Sequence, residues 1–189
     1  MTRTTALIPI ILLFAGSFLN ASSADQPNIV VIMVDDMGWA DIGCYGSEIP
    51  TPNLDKLAAD GARFTQAYAA SPVCSPTRGS IMTGRHPART RTTDWFGGAR
   101  KAALLPADYR RELPLEERTI AECLGDAGYD TFFAGKWHLG SSKAHGPNQH
   151  GFQHSYGSLA GAIGMYDHRY RKGKFCDTWH RDGDLIPGA

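Results

Sequence analysis

Apolar and polar positions along the chain alternate in blocks that predict strands and helices in turn. Residues 28–34, NIVVIMV, form an unbroken run rich in β-branched side chains, which predicts a strand buried on both faces. The stretches ARFTQAYA (62–69) and 129–134 also read as strands. Helical spacing covers 51–61, 75–84 and 119–127. This succession predicts an α/β protein with a largely parallel sheet.

The ends of the predicted helices carry residues that start and stop helices. The first helix has Thr51 as its N-cap and ends before Gly61. The second has Ser75 as its N-cap and ends before Gly84, and the third stops at Gly128. These start and stop signals support the prediction of all three helices.

Residues 85–113 are basic and irregular, and we interpret them as a long surface connection. Their cations either face a polyanionic glycan or are solvated loop charges. The aromatic residues Trp95, Phe96 and Tyr109 either stack on sugar or aryl rings or pin the loop. The sequence leaves both pairs of interpretations open.

The N-terminus has the layout of a secretory signal peptide. Arg3 precedes an uncharged apolar run over 6–19, and the small residues 22–24 follow. The run is short for a membrane span, although an uncleaved anchor is the alternative. We therefore expect a signal peptide over 1–24, an exported protein that is periplasmic or secreted, and no stable membrane insertion after cleavage.

Composition limits the range of partners. The 189 residues suffice for one domain with a core, and 19 basic residues balance 19 acidic ones. A formal net charge of zero gives no global field for nucleic acid, so any anion site must be local. No CxxC pair is present, which argues against a zinc ribbon or thioredoxin motif and leaves disulfide pairing open.

The segment ASPVCSPTRGSIMTG, residues 70–84, carries the first candidate site. Cys74 precedes the predicted helix, and Arg78 lies four residues on, over the same face. A thiol, a guanidinium and a helix N-terminus together make a site for a tetrahedral oxyanion. The alternative is a buried structural cysteine beside a surface arginine. Cysteine-dependent phosphatase chemistry is excluded, because the sixth residue after Cys74 is Ser80 and not arginine.

Two further pairs follow predicted strands. Asp35 and Asp36 are adjacent carboxylates that suit Ca²⁺ or Mg²⁺, or else form a solvated acidic turn. Lys136 and His138 share parity in an extended segment, so we expect both side chains on the same side. They either bind an anion and transfer protons, or they are a surface lysine and a packing histidine.

The other cysteines and histidines have no catalytic spacing. No HExxH-like pattern is present. We interpret the remaining cysteines as structural and the remaining histidines as loop residues: Cys44, Cys123, Cys176, His145, His150, His154, His168 and His180.

Several blocks together resemble the type I sulfatase family of the alkaline-phosphatase-like superfamily. They are NIVVIMVDDMGWADIGCYG, TPNLDKLAADGARFTQAY, CSPTRGSIMTGRHP and LGDAGYDTFFAGKWHLG, with HGFQHSYG as a weaker fifth. The similarity runs from about Asn28 to Tyr170, and the Cys-x-Pro-x-Arg core is its most specific part. The resemblance implies an alkaline-phosphatase-like α/β/α sandwich with a largely parallel sheet, incomplete in this chain.

The family resemblance also implies a mechanism. A maturation enzyme, the formylglycine-generating enzyme, would oxidise Cys74 to formylglycine, whose hydrate attacks sulfur and expels the alcohol of a sulfate ester. By analogy, Arg78 steadies this residue and Lys136 offsets charge on the sulfuryl group. His138 would then help to remove a proton from the second hydroxyl, so that sulfate departs.

A Ca²⁺ ion, favoured over Mg²⁺, is implied as the cofactor, held by Asp35, Asp36 and the oxidised Cys74. Family members usually run to at least about twice this length, and their second half completes the calcium site. We therefore expect residues 25–189 to be a truncated N-terminal part of a catalytic domain. Such a chain alone should bind Ca²⁺ poorly and turn over little substrate.

The expected function is that of an arylsulfatase-like sulfuric ester hydrolase acting on a sulfated small molecule or glycan. Two alternatives remain open. One is a formylglycine-dependent hydrolase of phosphonates or phosphodiesters. The other is an inactive fragment, a binding remnant that retains part of the oxyanion site.

Overall fold

The computed structural model describes residues 26–97, 107–170 and 173–186. The chain divides into two compact units, residues 1–37 and 38–189. The expected signal peptide over 1–24 lies outside the described residues. None of the helices in the described part is long and apolar enough to cross a membrane.

In the first unit, residues 26–37 form neither helix nor strand, and Asp35 and Asp36 lie in a turn. The apolar side chains of 28–34 are largely exposed; Val30 and Ile32 are each 79% accessible. The prediction of a strand buried on both faces is therefore wrong. Such a strand needs partner strands and covering helices, and the described residues of this unit supply neither.

Within its described residues the second unit contains four α-helices and four short 3₁₀ helices, the latter at Trp39–Asp41, Gly43–Tyr45, Lys143–His145 and Pro147–His150. The expected N-cap Thr51 and stop Gly61 flank the first helix, and Thr119 caps the fourth through a capping box with Glu122, as predicted. The apolar stripe of the first helix is not buried, since Leu57 is 67% exposed. The α-helices are α1 (Pro52–Asp60), α2 (Cys74–Thr83), α3 (Pro87–Thr90) and α4 (Ile120–Asp126).

Four strands form one mixed sheet in the order β1-β2-β3-β4. β1 pairs with β2 in parallel, whereas β2 with β3 and β3 with β4 are antiparallel. Within the described residues the sheet is therefore mixed and not largely parallel as predicted, because β3 and β4 form a hairpin beside β2. Asp182 and Gly183, both with positive φ, make the two-residue turn between β3 and β4. The strands are β1 (Phe132–Lys136), β2 (His154–Ser158), β3 (Trp179–Arg181) and β4 (Asp184–Leu185).

Two strand predictions differ from the structure. Residues 62–69 form no strand. β1 covers 132–136 and not 129–134, because the residues after α4 still close that helix. The amide of Tyr129 donates to Leu124 O at 3.0 Å, and Gly128 has a φ of +88°. The chain becomes extended only after this turn.

The hydrophobic core lies where β1 ends. Leu113, Trp137, Leu139 and Leu159 are each at most 2% exposed and form one cluster. Met82 of α2 packs against this cluster, which fixes the helix beside the end of the strand. Residues at the start of α2 and after β1 are thereby held in one place.

Candidate active site at the start of α2 and the end of β1

Cys74 is the first residue of α2, and its side chain is half-buried. The preceding residue, Val73, has extended backbone and no side chain that caps the helix. The prediction that Ser75 is the N-cap is therefore wrong by two positions. Gly84 ends the helix with a φ of +65°, as expected. The thiol thus lies in the first helical turn, where amides without helical partners favour negative charge.

Lys136, the last residue of β1, reaches the thiol. Its Nζ donates to Cys74 Sγ over 3.1 Å. Arg78, one turn along α2 and 8% exposed, donates from Nη1 to the backbone carbonyl of Lys136. Three residues that the sequence placed in separate candidate pairs are therefore in direct contact. The two cations and the helix N-terminus suit a tetrahedral anion.

His138 joins the site by another route than the one predicted. The strand ends at Lys136, and His138 has a φ of +54°, so the parity argument fails at this residue. Its backbone amide donates to Leu159 O at 3.0 Å, between the core side chains of Trp137 and Leu139. The imidazole is 5% exposed, and its Nε2 lies 3.1 Å from Phe96 O.

Further contacts around Cys74 and His138 complete this arrangement, and the sequence did not predict them. The Phe96 amide donates to the hydroxyl of Ser75 over 3.1 Å, beside Cys74. A Cβ on Gly161 would lie within 2.4–2.8 Å of the His138 ring. Trp95 and Phe96 place their rings 6.4 Å from that of His138. A backbone carbonyl and a glycine carry no catalytic signature in a sequence, which is why these contacts were missed.

The expected metal ligands Asp35 and Asp36 belong to the first unit. Both are exposed, and Asp36 has a φ of +57°. Carboxylate oxygens are the ligand type that Ca²⁺ takes, but two residues fall short of its six to eight oxygens. Within 26–97, 107–170 and 173–186, no group of three or more His, Cys, Asp or Glu is placed to hold a metal. The two carboxylates are therefore of the right chemical type for Ca²⁺, but they are too few to hold it.

The other cysteines and histidines lie outside this arrangement. All four cysteines are free thiols. The interpretation of the remaining histidines as loop residues is wrong for His154 and His180, which lie in β2 and β3, and for His150, which ends a 3₁₀ helix. His150 and His180 are also buried, at 1% and 0% exposure. Burial lowers the pKa of His150 to about 4 and also lowers that of His180. Both rings are therefore neutral packing groups at neutral pH.

Comparison with known proteins gives a family for the chain. The model of the Sulfatase family matches residues 27–184. Human steryl-sulfatase is 43% identical over 157 residues, which are 79% of this chain and 26% of that protein. N-acetylgalactosamine-6-sulfatase of Sus scrofa is 42% identical over 164 residues, 86% of this chain and 31% of that protein. The chain spans about a third or less of the length of these relatives.

Solved structures agree in fold. The crystal structure of Ps i-CgsB has a TM-score of 0.70 and 32% identity, and it covers 85% of this chain and 37% of its own. Its complex with k-i-k-neocarrahexaose has a TM-score of 0.65 and 31% identity, over 80% and 35%. The PsFucS1 sulfatase from Pseudoalteromonas sp. has a TM-score of 0.56 and 35% identity, over 68% and 25%. The expected alkaline-phosphatase-like α/β fold is confirmed.

Proposed function

This chain belongs to the sulfatase family, and we propose that it hydrolyses sulfate esters with Cys74, once oxidised to formylglycine, as the source of the nucleophile. The observation that carries the proposal is the contact between Lys136 Nζ and Cys74 Sγ at 3.1 Å. Arg78, which donates to the Lys136 carbonyl, adds a second cation at the start of α2. Such a site stabilises negative charge that develops on a transferring sulfuryl group.

Each residue has a distinct task in this proposal. The hydrated aldehyde, when formed, supplies a hydroxyl nucleophile. Lys136 binds the atom that replaces Sγ and an oxygen of the sulfate. Arg78 ties α2 to the end of β1 and so holds Cys74 and Lys136 together. His138, whose ring is buried beside Phe96, holds and moves a proton.

The proposed reaction also calls for a metal ion and a maturation step. We assign Asp35, Asp36 and the oxidised Cys74 as ligands of Ca²⁺, favoured over Mg²⁺, on the chemistry of their oxygens. A Ca²⁺ ion held by these residues would supply positive charge to the site. The Cys-x-Pro-x-Arg segment over 74–78 is the sequence on which the formylglycine-generating enzyme would act.

The proposed substrate is a sulfated small molecule or glycan, and no nucleic acid is involved. The names of the relatives support a sulfate ester, and the oligosaccharide complex of Ps i-CgsB supports a glycan. Trp95, beside the ring of His138, offers an aromatic face to such a substrate.

We further propose export, with residues 1–24 as the signal peptide and 25–189 as the N-terminal part of the catalytic domain. The charge and apolar pattern around Arg3 support this proposal. N-terminal sequencing of the purified protein is expected to begin at Asp25. A retained Met1 would contradict it.

The function is tested on protein purified from its native host, with matched aryl sulfate and aryl phosphodiester substrates that release a fluorescent phenol. Only turnover that is lost in Cys74→Ala is counted, because a contaminating hydrolase would not depend on this residue. Faster release from the sulfate supports the proposal. Faster release from the phosphodiester favours a phosphodiester hydrolase, and no Cys74-dependent turnover favours a binding remnant.

A further inference from the structure

Phe96, which lies in a loop with Trp95, links the start of α2 to His138 through two hydrogen bonds of its backbone. The amide of Phe96 donates to Ser75 Oγ over 3.1 Å, and its carbonyl lies 3.1 Å from His138 Nε2. Ser75 is fully buried and directly follows Cys74. The loop is also held from outside, since Tyr109 donates its hydroxyl proton to Trp95 O at 3.1 Å. The carbonyl that meets the imidazole is therefore held in place by α2.

This carbonyl decides which nitrogen of His138 carries a proton. A carbonyl oxygen only accepts hydrogen bonds, so Nε2 must be the donor. In a neutral imidazole the other nitrogen, Nδ1, then has the lone pair. The contact with Phe96 O thus selects one tautomer of His138.

Gly161 lies directly against the imidazole of His138. A Cβ at this position would lie 2.4 Å from Cε1, 2.6 Å from Nδ1 and 2.8 Å from Nε2 of His138. Real Cβ atoms do not approach other atoms so closely, so any side chain here must displace the ring. The rings of Trp95 and Phe96 also lie near the imidazole, each with its centroid 6.4 Å away. The ring is thereby confined to the position from which it reaches Phe96 O.

We propose that Ser75 and Gly161 are positioning residues that fix His138 as the Nε2–H tautomer, so that Nδ1 is the nitrogen that accepts a proton. The tautomer follows from the hydrogen bonds, whereas its use in catalysis rests on the proposed function. A proton that leaves a bound hydroxyl adds to Nδ1. The resulting imidazolium keeps its Nε2–H on Phe96 O, whose dipole stabilises the added charge.

The test is nuclear magnetic resonance of the full chain labelled with ¹⁵N-histidine, which separates protonated from unprotonated ring nitrogens. His138→Gln assigns the His138 signals by their loss. The wild type is expected to show Nε2–H alone, in slow exchange with solvent. Ser75→Ala and Gly161→Ala should each raise the exchange rate of that proton by roughly tenfold, because the hydrogen bond to Phe96 O is weakened. Ser75→Thr, which retains the hydroxyl, should restore slow exchange.

Two control variants distinguish a specific effect on the position of His138 from a general loss of stability. Ser80→Ala removes a buried α2 hydroxyl with no hydrogen-bond partner in the described residues. Gly125→Ala adds a Cβ where nothing lies within 4 Å. Both should leave the His138 signals unchanged. The indole N–H of Trp137 donates to His145 O at 2.8 Å, and its proton signal shows whether each variant is folded.

Two results would overturn the inference. One is an Nδ1–H tautomer in the wild type, which decides the matter even if no variant folds. The other is unchanged exchange in folded Ser75→Ala and Gly161→Ala. Neither readout needs turnover. A confirmed tautomer in a protein that hydrolyses no sulfate ester would therefore contradict the proposed function and leave the positioning role intact.

Discussion

His150 is the residue through which we expect acid to act on the stability of this fold. Its imidazole is 1% exposed and lies 5.5 Å from the ring of Trp137, and neither ring nitrogen has a hydrogen-bond partner among the described residues. Desolvation lowers the pKa of His150 to about 4; Glu122 raises it, and His145 lowers it further. The folded protein therefore holds this ring neutral.

The sign and size of the effect follow from linkage. Unfolded His150 takes up a proton near its ordinary pKa of 6.5, whereas the folded protein does so only near 4. The unfolded state thus binds more protons between these values, and the free energy of unfolding falls as the pH falls through that window. The full difference corresponds to about 3 kcal/mol, of which about 2 kcal/mol is lost between about pH 7.5 and pH 5.

The assay is urea unfolding of wild type and His150→Leu at both pH values. Leucine has a similar size and does not titrate, so the variant should lose about 2 kcal/mol less than wild type on acidification. His180 also has a lowered pKa, but it is present in both proteins, so its contribution cancels in the difference between them. Ser80→Ala, which removes no titratable group, is the control and should lose as much stability on acidification as wild type. An equal acid-induced loss in wild type and His150→Leu would refute the reasoning.

Three other predictions concern capping, charge and metal binding. Thr119→Ala removes the hydroxyl that accepts from the Glu122 amide and donates to His150 O, and should lower the free energy of unfolding by about 1 kcal/mol; no change in urea unfolding would contradict this. Lys136→Met, which removes the cation on Cys74, should reduce kcat for an aryl sulfate by on the order of 10²-fold with the fold intact by circular dichroism; full activity would contradict its role. The 189-residue chain should bind Ca²⁺ weakly in calorimetry, because the described residues hold no cluster of three ligands, and Asp35→Asn with Asp36→Asn should abolish that binding; tight binding that survives both substitutions would place the metal elsewhere.

Local signals in the sequence predicted three of the helices but not α3, which lies within the stretch 85–113 that was interpreted as an irregular connection. Thr51 and Thr119 precede α1 and α4, and Gly61 and Gly84 follow α1 and α2, because such start and stop signals depend on neighbouring residues alone. The Asp182-Gly183 dipeptide is a comparable hairpin signal, which the sequence analysis did not use. Residues 28–34 have the pattern of a buried strand, but burial depends on partners that a pattern cannot supply.

The site was predictable where side chains carry the chemistry. Cys74 and Arg78 are one helical turn apart, and their pairing follows from helix geometry. His138 was expected beside Lys136 by strand parity, but its positive φ breaks that periodicity. The contact of His138 with the Phe96 carbonyl joins segments 42 residues apart through a backbone atom. No residue type announces such a contact, so only the folded chain reveals it.

The most direct test of the proposed sulfatase site is the mass of the tryptic peptide Phe64–Arg78, taken from protein made in its native host. This peptide contains Cys74 and no internal tryptic site. The account predicts a mass lowered by replacement of the thiol with the aldehyde of formylglycine. Treatment with a thiol-alkylating reagent should leave this mass unchanged, because the aldehyde has no thiol. A peptide that carries only an unmodified thiol would contradict the account.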